Sequence, residues 1–203
     1  MKKLLQDRER LLKINLYTAY LFAFTIPLSM YFSLKAMALW MLTSLLVFDW
    51  KNVKKTPHKL YILLSVFYIL WHIVAIFYSD AKWPATWLVA KKFYIAVFPF
   101  LFLSVAGLYK KHLDKILAAF VYGSVLAVII MFSHALYESL EFTENGMIFN
   151  PFVYENATTL QKLFSNNFTY GFLSYFKHPM YMSAELVFAL AILVFLKRNP
   201  YNL

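Results

Sequence analysis

Residues 60–78 read LYILLSVFYILWHIVAIFY, a stretch without a single Asp, Glu, Lys or Arg, and this stretch decides the fold. At about 1.5 Å per residue, a helix of this length covers roughly 30 Å, the thickness of the hydrocarbon core of a bilayer. The pattern repeats on both sides of it. Apolar runs at 14–34, 36–48, 93–109, 116–137 and 179–196 alternate with short clusters of charge, as expected when helices cross a membrane and their connections do not. The expected fold is an all-α, polytopic transmembrane helical bundle of about six spans, forming one membrane domain over 1–203 with both termini cytoplasmic.

Composition supports this. Of 203 residues, 62% are apolar, 20% aromatic and 15% charged, against roughly 45–50% apolar in an ordinary soluble domain. The net charge of +10 would suggest nucleic acid if it lay on one polar face, but 21 Phe, 15 Tyr and 5 Trp are interleaved with Leu and Ile. No nucleic-acid partner is expected. Cysteine is absent, which removes disulfides, thiolate metal sites and cysteine nucleophiles. Met1-Lys2-Lys3 ahead of an apolar run, with Ala36-Met37-Ala38 further on, has the outline of a secretory signal. Against this, 14–34 is longer than the roughly 7–15 residues of a signal core, and another apolar segment follows at once.

The run 36–48 is short for a span. It crosses only if Lys35 extends toward one interface and Trp50 sits in the other, and a re-entrant segment is the alternative. Lysine and arginine distribution sets the orientation, because cation-rich connections stay in the cytoplasm. One set of alternating connections holds fourteen cations, from Lys2 and Arg8 through Lys54 and Lys111 to Arg198; the other holds six, Lys35, Lys82, Lys91, Lys92, Lys162 and Lys177. This places the amino terminus inside and favours six spans over five. Trp50, Trp83, Trp87, Tyr78, Tyr109 and Tyr137 fall near the expected helix ends, where amphipathic rings prefer to sit. Pro27 and Pro99 fall inside spans, where a proline kinks the helix and frees a carbonyl.

Residues 138–177 form the expected extracytoplasmic loop. It carries Glu138, Glu141, Glu144 and Glu155 together with many Phe and Tyr, so it is expected to fold back on the membrane surface. The sequons at Asn156 and Asn167 are short patterns that arise readily by chance.

Ionisable groups are expensive in hydrocarbon, which makes His72, His134 and Glu185 candidates for function. The two histidines can equally stay neutral and bond a neighbouring helix. Glu185 must be protonated, paired or facing water. His178, Tyr181, Met182 and Glu185 follow i, i+3, i+4, i+7 spacing, which puts an imidazole and a carboxyl on one helix face. The pair handles protons, or it comprises an interhelical hydrogen bond and an interfacial histidine. Lys91 and Lys92 open a span on the outer side, at the depth of a lipid diphosphate, and Lys177 shares that surface. Ordinary headgroup contact is the alternative for each. No nucleotide-binding loop, zincin motif or nucleophile elbow is present, and four glycines leave nothing to build a phosphate cradle.

Three segments carry a resemblance. The run Ser174-Tyr175-Phe176-Lys177-His178-Pro179-Met180-Tyr181-Met182-Ser183 resembles the His-Pro-x-Tyr segment of O-antigen ligase-like and O-antigen polymerase-like membrane proteins, especially Bacteroidetes-type members. Lys91-Lys92-Phe93-Tyr94-Ile95-Ala96-Val97-Phe98-Pro99 resembles that family's lysine, apolar run and proline, and Ile26-Pro27-Leu28-Ser29 leading to Asp49-Trp50 resembles its first helical pair. Their order along the chain matches as well. The resemblance implies the amino-terminal portion of a longer architecture, without the family's later spans and large periplasmic region.

It also implies metal-independent glycosyl transfer at the periplasmic face of the bacterial inner membrane, in lipopolysaccharide or polysaccharide biosynthesis. The donor would be an undecaprenyl-diphosphate-linked glycan, the acceptor lipid A-core or a growing polysaccharide, with no cofactor. On this resemblance His178 and Glu185 are the catalytic candidates, Tyr181 supports them, and Lys91, Lys92 and Lys177 bind the diphosphate. The family uses arginine there, and the outer side of this chain has none. Two other classes stand beside it: a small-solute transporter using Glu185 and His72 as a proton relay, and a non-catalytic scaffold in envelope glycan assembly.

Overall fold

The computed structural model describes residues 2–55, 57, 59–80, 83, 86, 87, 89, 92–144, 146–152, 166–169, 173 and 178–198. Among these the elements are α1 (Lys2–Thr25), α2 (Met30–Leu46), α3 (Trp50–Lys55), α4 (Lys59–Tyr78), α5 (Tyr94–Ser104), α6 (Ala106–Lys111), α7 (Leu113–Glu138), β1 (Leu140–Thr143), β2 (Gly146–Phe149) and α8 (Pro179–Arg198). The chain is predominantly α-helical. Three helices are long and apolar enough to cross a membrane, at Leu60–Tyr78, Leu113–Glu138 and Pro179–Lys197, and α2 and α5 are shorter apolar helices. Only 6% of the α4 window is covered by protein. A helix that apolar and that exposed is stable in lipid, not in water.

The first two helices break at a different place from the one expected. A span over 14–34 followed by one over 36–48 puts the boundary at Lys35, whereas the helix ends at Thr25 and restarts at Met30. Pro27 is the cause. It has no amide hydrogen and its ring clashes with a continuing helix, so it ends α1 instead of kinking a longer span. Thr25 bonds back to the Phe22 carbonyl at 3.0 Å, and the Ser29 hydroxyl accepts the Tyr31 amide at 3.2 Å as the cap of α2. Lys35 therefore lies inside α2, where its ammonium donates to the Tyr31 hydroxyl at 2.6 Å and lies over that ring.

The packing divides into two compact units, Met1–Thr18 with Ala38–His112, and Ala19–Met37 with Leu113–Leu203. In the first unit, the start of α1 runs antiparallel to the end of α2, as the pairs Arg8–Asp49, Asn15–Ser44 and Thr18–Thr43 show. Between them lies a buried polar chain. The Trp40 indole donates to the Tyr109 hydroxyl at 2.6 Å, and Tyr109 donates to Asn15 Oδ1 at 2.6 Å. Asn15 Nδ2 donates to Ser44 Oγ at 2.8 Å and Thr43 Oγ1 at 3.2 Å. Asn15 and Ser44 are wholly buried, and a polar group so placed must find partners. α5 and α6, expected as one span over 93–109, are separated at Val105, and the Asn52 amide donates to the Ser104 carbonyl at 2.9 Å, next to that break.

Asp49 caps α3, its Oδ1 accepting the Lys51 amide at 2.9 Å while Arg8 pairs with Oδ2 at 3.0 Å. The Lys51 amide first, then the Arg8 guanidinium, holds this carboxyl below its ordinary value. A depressed carboxyl stabilises the fold in full above its unfolded-state pKa, and that contribution disappears as pH falls through the lower folded-state value. The thermal stability of Asp49→Asn in detergent is therefore expected to trail the parent at pH 7. The gap should close on acidification below the ordinary carboxylate range.

In the second unit, α7 and α8 pack antiparallel: Phe120 meets Phe188 edge to face at 5.4 Å, and further along Ala127 and Met131 cluster with Met182. Small residues let the end of α1 approach α7. Ala23 joins the cluster of Phe120, Val121, Ala189, Ile192 and Leu196, and a Cβ at Gly123 would lie 2.0 Å from the Phe24 carbonyl oxygen. After α7 comes a β-hairpin that the all-α expectation did not include. Leu140 pairs with Phe149 and Thr143 with Gly146, whose φ of 121° is one that glycine adopts without strain.

Candidate functional site

α4 and α5 pack together within the first unit. α4 carries Tyr68 and His72 one turn apart, and Lys92 stands two residues ahead of α5. The helix brings the rings of Tyr68 and His72 to a centroid separation of 4.3 Å, and His72 Nδ1 lies 2.9 Å from the Tyr68 carbonyl oxygen. A carbonyl only accepts, so Nδ1 carries the proton and Nε2 presents a lone pair. Lys92 Nζ lies 3.1 Å from Nε2 and 5.7 Å from the Tyr68 ring centroid. The ammonium gives one of its three protons to His72 and keeps two for another acceptor. Lys92 is half-buried, and among the described residues it forms no ion pair with a carboxylate.

The same pair of helices also forms an apolar groove. Tyr61, Phe98, Pro99, Phe102 and Leu103 line about 370 Å³. Tyr61 lies eleven residues before His72, about 16 Å along α4 at helical rise. One seam therefore has a cation at one end and a hydrocarbon slot at the other. The polar contact uses neutral imidazole as acceptor, and the slot has almost nothing to hydrogen-bond. This is an arrangement suited to an amphiphile with an anionic head and an apolar tail.

Of the other residues singled out from the sequence, His178 stands at the start of α8. Its Nδ1 accepts the Met180 amide at 3.4 Å, its carbonyl accepts the Tyr181 and Met182 amides, and Pro179 occupies the first helical position. The Tyr181 ring meets the His178 ring edge to face at 6.1 Å. Capping through Nδ1 leaves the proton of the neutral ring on Nε2. Glu185 is half-buried on the packed stripe of α8, between Met182 and Ala189. His134 Nε2 lies 3.9 Å from Glu138 Oε1 within α7. Lys91, Lys177, Lys82 and Lys162 lie outside the described residues, as does the sequon asparagine Asn156.

The structure therefore brings Lys92 to His72 and His178 to Tyr181. Tyr68 escaped the sequence reading, although its i, i+4 spacing to His72 was visible. Among the described residues no group of three His, Asp or Glu side chains is placed to hold a metal ion. Comparison with protein-family models, with curated proteins and with solved structures finds no match to this chain.

Proposed function

We propose that this chain is a multi-pass protein of the bacterial inner membrane that holds an undecaprenyl-diphosphate-linked glycan at the periplasmic face, in the manner of O-antigen ligases and polymerases. The supporting observation is the α4–α5 seam, with the Lys92 ammonium at one end and the Tyr61–Phe98–Phe102 groove at the other. An isoprenoid chain suits the groove, and a diphosphate suits a lysine that keeps two donors. The proposed topology has six passes with the amino terminus inside. The α1–α2 hairpin preserves the alternation of cation-rich and cation-poor connections, because a tip at Pro27 returns the chain to the side from which it came.

In the proposed reaction the acceptor hydroxyl of lipid A-core or of a polysaccharide attacks the anomeric carbon. The bond from that carbon to the diphosphate oxygen breaks, the hydroxyl proton passes to a base, and undecaprenyl diphosphate leaves. Lys92 stabilises the leaving group as its charge grows. In its capping position His178 offers Nε2–H as a donor. It acts as a base only after Nδ1 releases the Met180 amide, and a bond as long as 3.4 Å makes that release inexpensive.

Asparagine at 178 retains a good helix cap but cannot take up a proton. Envelope glycan profiles of His178→Asn and Lys92→Ala at matched protein levels test the reading. Transfer is expected to fall on the order of a hundredfold for His178→Asn, the lower end for loss of a general acid or base. A normal profile for both variants would end the assignment.

A further inference from the structure

Lys92 is half-buried two residues ahead of α5, and an unrestrained lysine has several rotamers with which to reach water. Two contacts hold it where it is, and a third orients the first of them. His72 Nε2 accepts from it at 3.1 Å, the Tyr68 ring face lies at 5.7 Å, and the Tyr68 carbonyl at 2.9 Å from Nδ1 fixes which imidazole nitrogen is the acceptor. Reversing the tautomer would point an N–H at the ammonium and break both bonds at once. The ring is also kept in place by its packing against Tyr68, at 4.3 Å between centroids.

We infer that His72 is a positioning residue for the headgroup cation: it anchors Lys92 by one proton and so aims the remaining two at a single oxyanion. The inference rests on the proposed binding of a lipid diphosphate at Lys92 and adds the residue that orders the site. α5, which packs on α4, carries Tyr94 as its one titratable side chain. Lys92 is thus the charged group that meets the ring among the described residues. Restricting the lysine before the ligand arrives removes part of the ordering cost from binding. Removing the anchor should therefore weaken affinity while leaving the charge in place.

The test is titration of undecaprenyl diphosphate, with uncharged undecaprenol as reference, into the full chain in lipid nanodiscs. The variants are Lys92→Ala, His72→Leu, His72→Gln and the double variant His72→Leu with Lys92→Ala. Lys92→Ala is expected to weaken diphosphate binding about tenfold or more, and His72→Leu about three- to tenfold, the range for the net contribution of a single hydrogen bond. Glutamine, whose side-chain oxygen can replace Nε2 as acceptor, should restore affinity to within about twofold. In the Lys92→Ala background the leucine should cost nothing further.

A leucine penalty of equal size with and without Lys92 would mark His72 as a packing residue and overturn the inference. A glutamine variant no better than leucine would do the same. In both cases a loss with Lys92→Ala leaves the headgroup reading intact. If the parent chain binds undecaprenyl diphosphate no more tightly than undecaprenol, the headgroup reading fails and the inference fails with it.

Discussion

Alanine at position 123 is expected to destabilise the second unit by about 3 kcal/mol or more, the upper end for overpacking. The added Cβ would lie 2.0 Å from the Phe24 carbonyl oxygen and 2.9 Å from its carbon. Both are backbone atoms of a helix, so no rotamer change can make room. The end of α1 must move off α7, taking Ala23 out of the cluster it shares with Phe120, Val121 and Ile192. Gly107→Ala supplies the control, since a Cβ there meets nothing within 4 Å. That substitution is expected to be neutral or stabilising by roughly 0.5–1 kcal/mol through helix propensity. Thermal or SDS unfolding of the purified protein in detergent compares the two. Equal midpoints for Gly123→Ala and Gly107→Ala would show that the close approach is absent.

The second large effect is expected at Asn15. Leucine there has similar volume but removes the acceptor of the Tyr109 hydroxyl and the donor to Ser44 and Thr43. Interhelical hydrogen bonds in membrane proteins contribute about 0.6 kcal/mol each on average, and a buried group left unpaired costs about 1–3 kcal/mol. A loss of about 2–4 kcal/mol is the expected sum. Tyr109→Phe breaks the bonds to Asn15 and from the Trp40 indole and should cost about 2 kcal/mol on the same basis. Because the two residues share one chain of bonds, the double variant should cost less than the sum of the singles, with a coupling of about 0.5–3 kcal/mol. Strict additivity would mean that the chain does not act as a unit. This network is also a reason for α1, α2 and α6 to hold one register, since sliding any of them by a residue would leave buried polar atoms without partners.

A run such as 60–78 needs no tertiary information to be read as a lipid-crossing helix, because its length and lack of charge already exclude water on every face. The bounds of α4, α7 and α8 follow closely from the apolar runs, and Pro27 was visible as the point where the first helix had to change. Its effect was not. Whether a proline kinks a span or ends it depends on what its neighbours do with the freed carbonyls, and here the Ser29 cap starts a new helix instead. The β-hairpin after α7 was hidden by the expectation of an aromatic surface loop.

The site divides in the same way. Sequence alone marked Lys92 as a cation out of place on the outer side and His72 as an imidazole in hydrocarbon, because both judgements concern one residue and its solvent. That the two meet at 3.1 Å, with Tyr68 fixing the tautomer, was decided by the packing of α4 on α5. Gly123 likewise looks like any glycine until the Phe24 carbonyl arrives from a helix about a hundred residues earlier, and Asn15 looks like a polar intrusion until Tyr109 closes its network. Burial in lipid is a property of a segment and can be read from that segment. Hydrogen bonds and close backbone contacts belong to pairs distant in sequence, and only the folded chain brings those pairs together.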